Sequence, residues 1–266
     1  MRLMGFEIQK SLLDNEYLRL ENKEYERRHG KTIVKKWLHT LKIYNTRKYV
    51  GREICFNEVK QLIDEYDIIS FDIFDTLLKR PYDRPTDLFY DIEMKERIPG
   101  FAVNRINAEK EARDRYSECE DITLKQIYQE VQEKYKPFME KELKYELEKT
   151  EANDIVLPIF KYAVKRQKQI IIISDMYLHS SFLKKMLEIN GIVGFSKLYV
   201  SSETMKTKTS GNMYAHVLRN IQKGKKVLHI GDNLYSDGNA LYKYNFGFIC
   251  IDNTKYILIE RRKSNA

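Results

Sequence analysis

From Tyr66 onward, short apolar runs recur with helical stretches between them, and most of those runs break off at a polar residue. The runs are Asp67–Phe71 (DIISF), Gln169–Ile173 (QIIII), Lys197–Val200 (KLYV), Lys226–Ile230 (KVLHI) and Phe246–Ile251 (FGFICI). Short apolar strands alternating with helices dictate an α/β fold built on a Rossmann-like parallel sheet of about five strands. The later helices are read over 181–190, 212–222 and 236–244, with Gly191 and Gly224 falling where C-caps belong. Between the first two runs lie about a hundred residues, where one crossover needs only about a dozen. The stretch 83–149 is charged, aromatic and helix-periodic, so it reads as an all-helical module inserted into the sheet domain. Three parts follow: a helical, basic N-terminal extension over 1–65, an α/β core over 66–82 and 150–266, and the helical insert over 83–149. Within the extension, Met1–Arg28 and Asn57–Tyr66 read as helical. Ile33, Val34, Trp37, Leu38 and Leu41 line one face of a further helix over Lys31–Tyr44.

Charge is concentrated in that extension. The chain carries a formal net charge of +8, yet nine Lys/Arg and no acid lie between Arg27 and Arg52, so the remainder sits at −1. Three readings of the window stay open: a helix docked on the core with its lysines in water, a membrane-surface helix anchored by Trp37, or a contact for a polyanion or partner protein. No nucleic-acid partner is expected, because no binding motif accompanies the charge. The longest purely aliphatic run, Ile170–Ile173, is far short of the roughly 20 residues of a spanning helix. Glu7 and Lys10 interrupt the start where a signal peptide would be apolar. A cytoplasmic location is therefore expected, with peripheral attachment at the inner membrane surface as the option that 27–52 leaves open. Cys55, Cys119 and Cys250 are odd in number and lack CxxC spacing, so they read as reduced thiols. The five histidines form no metal-binding pair.

The strand ends carry the chemistry. DIISF runs into Asp72-Ile73-Phe74-Asp75-Thr76, and QIIII ends in Ser174-Asp175. Lys208 lies in Lys-Thr-Ser-Gly before a helix, and KVLHI leads into Gly231-Asp232-Asn233 and then Ser236-Asp237. The carboxyl ends of parallel strands are where open α/β sheets place their ligands. A carboxylate there could attack, a hydroxyl and an ammonium could hold phosphate oxygens, and further carboxylates could hold Mg²⁺, which favours hard oxygen donors.

Taken in order, this set resembles the four motifs of the haloacid dehalogenase superfamily, over about 65–251, with the insert where that superfamily places its type 1 helical cap. More narrowly, SFDIFDTLLKR with SDMYL and GDNLYSD resembles a bacterial subgroup associated with surface-polysaccharide glycosyltransferases. The resemblance implies a Mg²⁺-dependent phosphohydrolase that passes through an aspartyl-phosphate and acts on a small phosphorylated substrate. Asp72 would be the nucleophile, Ser174 would bind a phosphoryl oxygen and Lys208 would neutralise charge on both. Asp72, the Phe74 carbonyl, Asp232 and Asp237 would hold the metal, with Asp237 either ligating or orienting. Lys206 is a rival for Lys208, but the Lys-x-x-Gly spacing favours Lys208.

One position departs from the phosphatase pattern: the second aspartate, the usual general acid and base, is here Phe74. Three readings follow. Asp75 substitutes for it, a cap residue supplies the proton, or the substrate's leaving group needs none. The superfamily's dehalogenases, which attack carbon, also carry an aromatic residue at this place but generally work without a metal, and the Asp232/Asp237 pair argues against that reading. The alternative from another class is a non-catalytic or regulatory module attached to glycan assembly or a membrane surface. Asp175 either meets substrate or caps its loop, and Asn233 either hydrogen-bonds near the metal or closes a turn. Lys79 and Arg80 flank the hinge as surface cations or readers of a second anionic group. Tyr177 and His179 face either the cap or the core, while Arg105, Arg113 and Arg115 read as solvated helix positions.

Overall fold

The computed structural model describes residues 49–252 and 254–261, so the helical readings for Met1–Arg28 and Lys31–Tyr44, and the basic window up to residue 48, lie outside the described residues. In chain order the strands are β1 (Tyr49–Ile54), β2 (Ile68–Phe71), β3 (Leu78–Lys79), β4 (Glu151–Ala152), β5 (Gln169–Ser174), β6 (Lys197–Val200), β7 (Val227–Gly231), β8 (Gly247–Asp252) and β9 (Lys255–Arg261). The helices are α1 (Phe56–Glu65), α2 (Asp87–Glu96), α3 (Phe101–Arg115), α4 (Leu124–Glu130), α5 (Met139–Lys149), α6 (Leu157–Lys165), α7 (Ser180–Ile189), α8 (Ser201–Thr204), α9 (Asn212–Arg219) and α10 (Asn239–Tyr244).

The main sheet has seven strands in the order β1-β9-β8-β7-β2-β5-β6. The five strands expected from the apolar runs are its parallel part, with β2 paired to β5 on one side and β7 on the other. Every residue of β2 is buried, as a parallel strand covered on both faces must be. Alternate residues face opposite layers. Ile69, Phe71, Ile170, Ile172, Leu228 and Ile230 share one cluster with Val59 and Ile63 of α1 and Phe160 of α6. Ile68, Ile171, Ile173 and Val227 share another with Met213, Tyr214 and Val217 of α9.

Two strands correct the sequence reading. β9 runs antiparallel to β8 after a short turn, and β1 runs antiparallel to β9 at the sheet edge. The extension over 1–65 is thus not wholly helical: its described part is a core strand followed by α1. β1 is broken by Gly51, Arg52 and Glu53, and β9, although it carries the apolar run Tyr256–Ile259, follows β8 with no helix between and so falls outside the strand–helix alternation. At the head of α1 the Arg52 guanidinium lies 2.6 Å from Glu58. No helix among the described residues is long and apolar enough to cross a membrane.

Helices α2 to α5 form the insert, which leaves and rejoins the core at one point. Leu78 and Lys79 of β3 pair antiparallel with Ala152 and Glu151 of β4. Asn153 braces the junction, its side-chain amide donating to the Thr76 carbonyl at 2.7 Å and its backbone N–H to that of Leu77 at 2.9 Å. The reading of Arg105 as a solvated helix position is wrong. Its side chain is fully buried, with Nε and Nη2 each 2.8 Å from the Glu142 carboxylate and the guanidinium over the Phe89, Tyr128 and Tyr177 rings. Arg113 and Arg115 are exposed on the same helix, pairing with Glu109 and Asp121 and with Glu130. α3 is polar on almost every side, so periodicity did not distinguish the buried arginine from its exposed neighbours.

Removing one partner of a buried ion pair strands the other charge. Arg105→Ala should therefore lower stability by about 3–5 kcal/mol, read as a reduced urea midpoint at unchanged slope. Arg105→Met combined with Glu142→Leu should recover a large part of that loss; an equally unstable double variant would contradict the assignment.

Candidate active site

Because β2 feeds β5 on one side while β7 pairs on the other, the crevice at the carboxyl end of β2 is the topological switch point of the sheet. Asp72 follows β2 directly, its backbone N–H donating to the Ile230 carbonyl at 2.9 Å. Ser174 ends β5 on one flank and Asp232 follows β7 on the other.

Lys208 reaches this point. Its Nζ lies 2.6 Å from Asp72 Oδ1 and 2.6 Å from Asp237 Oδ1, and the lysine is almost wholly buried. Burial alone would favour the neutral amine, but the Asp237 and Asp72 carboxylates outweigh it and hold Lys208 well above the usual lysine range. Asp237 moves the other way. Burial pushes it up, yet the adjacent Lys208 charge and the His229 hydrogen bond keep it well below the ordinary carboxylate range. Asp72, buried and facing the Asp237 and Asp232 charges, is raised well above its usual value despite Lys208. Asp232 is pushed up to about 7 by burial and then by the Asp237 charge. Thr76 Oγ1 donates to its Oδ1 at 3.2 Å.

Asp72, Asp232 and Asp237 each offer an oxygen, all within 4.8 Å of one another. Three carboxylates against one ammonium leave excess negative charge in a buried place, and a hard divalent cation such as Mg²⁺ fits that donor set. Their spare capacity differs. Asp237 accepts at Oδ1 from Lys208 and from His229 Nε2 at 3.2 Å, and at Oδ2 from the Asn233 backbone N–H at 3.0 Å. Asp72 and Asp232 each carry one such bond, so they keep the more open lone pairs.

Asp237 is itself fixed from below. A carboxylate only accepts, which places the His229 proton on Nε2 and leaves Nδ1 to accept from Ser70 Oγ at 2.8 Å. Ser70 and His229 are register partners on β2 and β7, both fully buried, and burial lowers the His229 pKa so that it stays neutral. Gly231 is required beside them, since a Cβ there would run into the Asp237 carboxylate.

The remaining sequence readings resolve individually. Lys206 donates to the Thr204 carbonyl, so Lys208 is the lysine that meets Asp72. Asp175 accepts from the Lys208 backbone N–H at 2.8 Å and from that of Thr209, which ties the Ser174 loop to the Lys208 loop. Burial raises its carboxyl to about 6. Asn233 closes a turn, its Oδ1 accepting from the Tyr235 and Ser236 N–H groups. His179 caps α7. Asp75 is exposed at φ 58°, and its charge contributes to raising Asp232. Phe74 is half-buried under the Arg80 guanidinium at 3.9 Å, and Arg80 in turn pairs with buried Glu146 of the insert. Arg80 is therefore not a free surface cation. Sequence reasoning assigned no part to Thr76, His229 or Glu146. One signal was available for His229: a polar residue at matching depth in two otherwise apolar strands, Ser70 in DIISF and His229 in KVLHI.

No protein-family model matches the chain, and no curated protein does. Among solved structures, the 2-haloacid dehalogenase from Pseudomonas syringae pv. Tomato DC3000 is similar, with a TM-score of 0.50 at 12% identity over 70% of this chain and 86% of that one. The HAD phosphatase from Thermococcus onnurineus gives a TM-score of 0.48 at 15% identity over 75% of this chain and 90% of its own. The first likeness establishes a haloacid dehalogenase-type fold.

Asp175 and Asp232 bind protons more tightly folded than unfolded, so each contributes stability at low pH that is lost as pH rises through its folded value. His229, depressed by burial, acts in the opposite sense near the usual histidine range, so differences between variants isolate each carboxyl. In metal-free urea titrations, the stability of wild type relative to Asp232→Asn should fall as pH approaches about 7. The same comparison with Asp175→Asn should fall through about 6. Flat differences from pH 4 to 8 would refute both shifts.

Proposed function

We propose that this chain, with its haloacid dehalogenase-type fold, is a Mg²⁺-dependent phosphohydrolase that passes through an aspartyl-phosphate on Asp72. The observation that carries this reading is the Lys208 ammonium bridging Asp72 and Asp237 at 2.6 Å each, beside Asp232, at the switch point of the sheet. Asp72, Asp232 and the Phe74 carbonyl would hold the cation, with Asp237 ligating or, given its occupied oxygens, orienting Lys208. Bound Mg²⁺ would neutralise charge on carboxylate and phosphate.

The chain's own residues divide the remaining work. An Asp72 oxygen attacks phosphorus and the bond from phosphorus to the leaving oxygen breaks, leaving an acyl phosphate on Asp72. Lys208 sits against the attacking carboxylate and offsets the charge gathered by the transferring group. Ser174, at the end of the neighbouring strand, donates to a phosphoryl oxygen. Water then attacks the acyl phosphate, which releases inorganic phosphate and restores the carboxylate. Phe74 cannot supply a proton to the leaving group. A missing general acid costs about 10²–10⁴-fold where the leaving group is a poor anion. With Phe74 covered by Arg80, the substrate is one whose leaving group departs as a stable anion, such as an acyl phosphate or an anhydride. A place in surface-polysaccharide metabolism rests on the sequence resemblance alone.

Acetyl phosphate and p-nitrophenyl phosphate test this directly. Wild type should turn over acetyl phosphate faster, EDTA should abolish turnover with Mg²⁺ restoring it, and Asp72→Asn should reduce it to background. Asp75→Asn should leave turnover of acetyl phosphate and of an alkyl phosphate such as glycerol phosphate both within about threefold if no side-chain acid is used; a loss of about 10²-fold confined to the alkyl phosphate would instead make Asp75 the acid. Failure of a broad phosphate panel, together with no Mg²⁺ binding by calorimetry, would leave a non-catalytic module.

A further inference from the structure

Lys208 lies on a loop, and a loop residue with two buried ionic partners needs its backbone held. From the core side, Asp175 accepts the Lys208 backbone N–H, and Asn239 Nδ2 donates to the Lys208 and Thr209 carbonyls at 2.9 Å each. The other hold comes from the cap. Glu120 sits in the turn between α3 and α4, and its carboxylate gathers donors on both sides of Lys208. Oε2 accepts from the Thr207 backbone N–H at 2.7 Å, from Thr207 Oγ1 at 3.3 Å and from Ser210 Oγ at 2.6 Å. Oε1 accepts from Asn212 Nδ2. None of these partners is a cation. Burial alone would raise the Glu120 carboxyl, but the Ser210, Asn212 and Thr207 bonds outweigh it and lower its pKa, so at neutral pH it is an acceptor only.

Adjacent residues of the same turn reach two further core loops. Asp121 accepts from Ser201 Oγ, which itself accepts from the Met176 N–H at 2.7 Å. The Leu124 N–H donates to the Tyr177 carbonyl at 2.9 Å. One cap turn therefore touches the loop after Ser174, the start of α8 and the loop that presents Lys208.

We propose that Glu120 is a positioning residue: carried by the cap, it sets the 207–212 loop so that the Lys208 ammonium meets Asp72 only when the cap is seated on the core. The catalytic part of this claim rests on the phosphohydrolase reading, while the mechanical part does not. An open cap would withdraw Glu120, leave Asp175 and Asn239 as the remaining holds, and loosen Lys208 from its carboxylates. A seated cap restores the cation at the nucleophile. The nucleophile's electrostatic environment is thereby tied to cap position through four hydrogen bonds from one side chain.

The test compares full-length wild type, Glu120→Ala and Glu120→Gln, because Gln keeps the acceptor oxygen for Thr207 and Ser210 and Asn212 can turn its own oxygen to the new amide. Acetic anhydride labelling followed by peptide mass spectrometry reads Lys208 itself. In Glu120→Ala, Lys208 should acylate at least about tenfold faster, with Lys79 and Lys149 unchanged, and amides 207–212 should exchange hydrogen faster while those of β7 do not. Glu120→Gln should return both towards wild type. With acetyl phosphate, Glu120→Ala should lower kcat by about tenfold or more with KM within about threefold, and Glu120→Gln should restore it. Unchanged Lys208 labelling and loop exchange in Glu120→Ala would overturn the proposal, as would acceleration spread evenly over the whole cap. If wild type hydrolyses no phosphate, the labelling and exchange results still decide the claim about Glu120, and only the enzymatic reading falls.

Discussion

A single ammonium holds the site together. Lys208 is buried among carboxylates that would repel one another without it, and its two contacts at 2.6 Å tie Asp72, at the end of β2, to Asp237, which is anchored on His229 of the neighbouring β7. Burying an unpaired charge is far costlier than burying a matched one. The surrounding structure accordingly serves to keep the match. Ser70 and His229 fix Asp237 from the sheet, Asp175 and Asn239 fix the Lys208 backbone, and Gly231 keeps clear the space that the Asp237 carboxylate fills. Even with Lys208 in place, two neighbouring carboxyls are raised, which is the electrostatic form of a site short of positive charge.

The insert repeats the same solution in another place. Glu142 and Glu146 lie one helical turn apart and are both buried, so each requires a cation of its own. Arg105 serves Glu142 from within the cap. Arg80 serves Glu146 from just beyond β3 while covering Phe74. Phe74 is thus packed under a guanidinium that also anchors the insert. Cap placement and the chemistry available at position 74 are therefore not independent features of this chain.

Much of this was legible in the sequence, and the parts that were not share a cause. DIISF, QIIII, KLYV, KVLHI and FGFICI could be seen because parallel strands buried on both faces read as unbroken apolar runs. Asp72, Ser174, Lys208, Asp232 and Asp237 could be seen because strand ends and loop glycines mark them. β1 escaped because Gly51, Arg52 and Glu53 interrupt its apolar residues, and β9 because its apolar run Tyr256–Ile259 follows β8 with no helix between, outside the strand–helix alternation. Arg105, Glu142 and Glu146 escaped because a paired buried charge has the same one-dimensional signature as a solvated one, and half-buried Glu120 because its partners Thr207, Ser210 and Asn212 carry no charge to mark them. Only the partner distinguishes them, and the partner lies 37 residues away for Arg105 and 87 for Glu120 and Thr207.

The pairing of β1 with β9 joins the first described strand to the last, from Tyr49 against Arg261 to Ile54 against Tyr256. On a ribosome, β1 emerges long before its partner exists. Until β9 follows, β8 has a bare edge and β1 has nothing to pair with, although β2, β5, β6 and β7 can already assemble around Asp72. The crevice can therefore take shape before the sheet is closed. The nascent chain meanwhile carries two unpaired strand edges, a period in which it is open to mispairing with other chains.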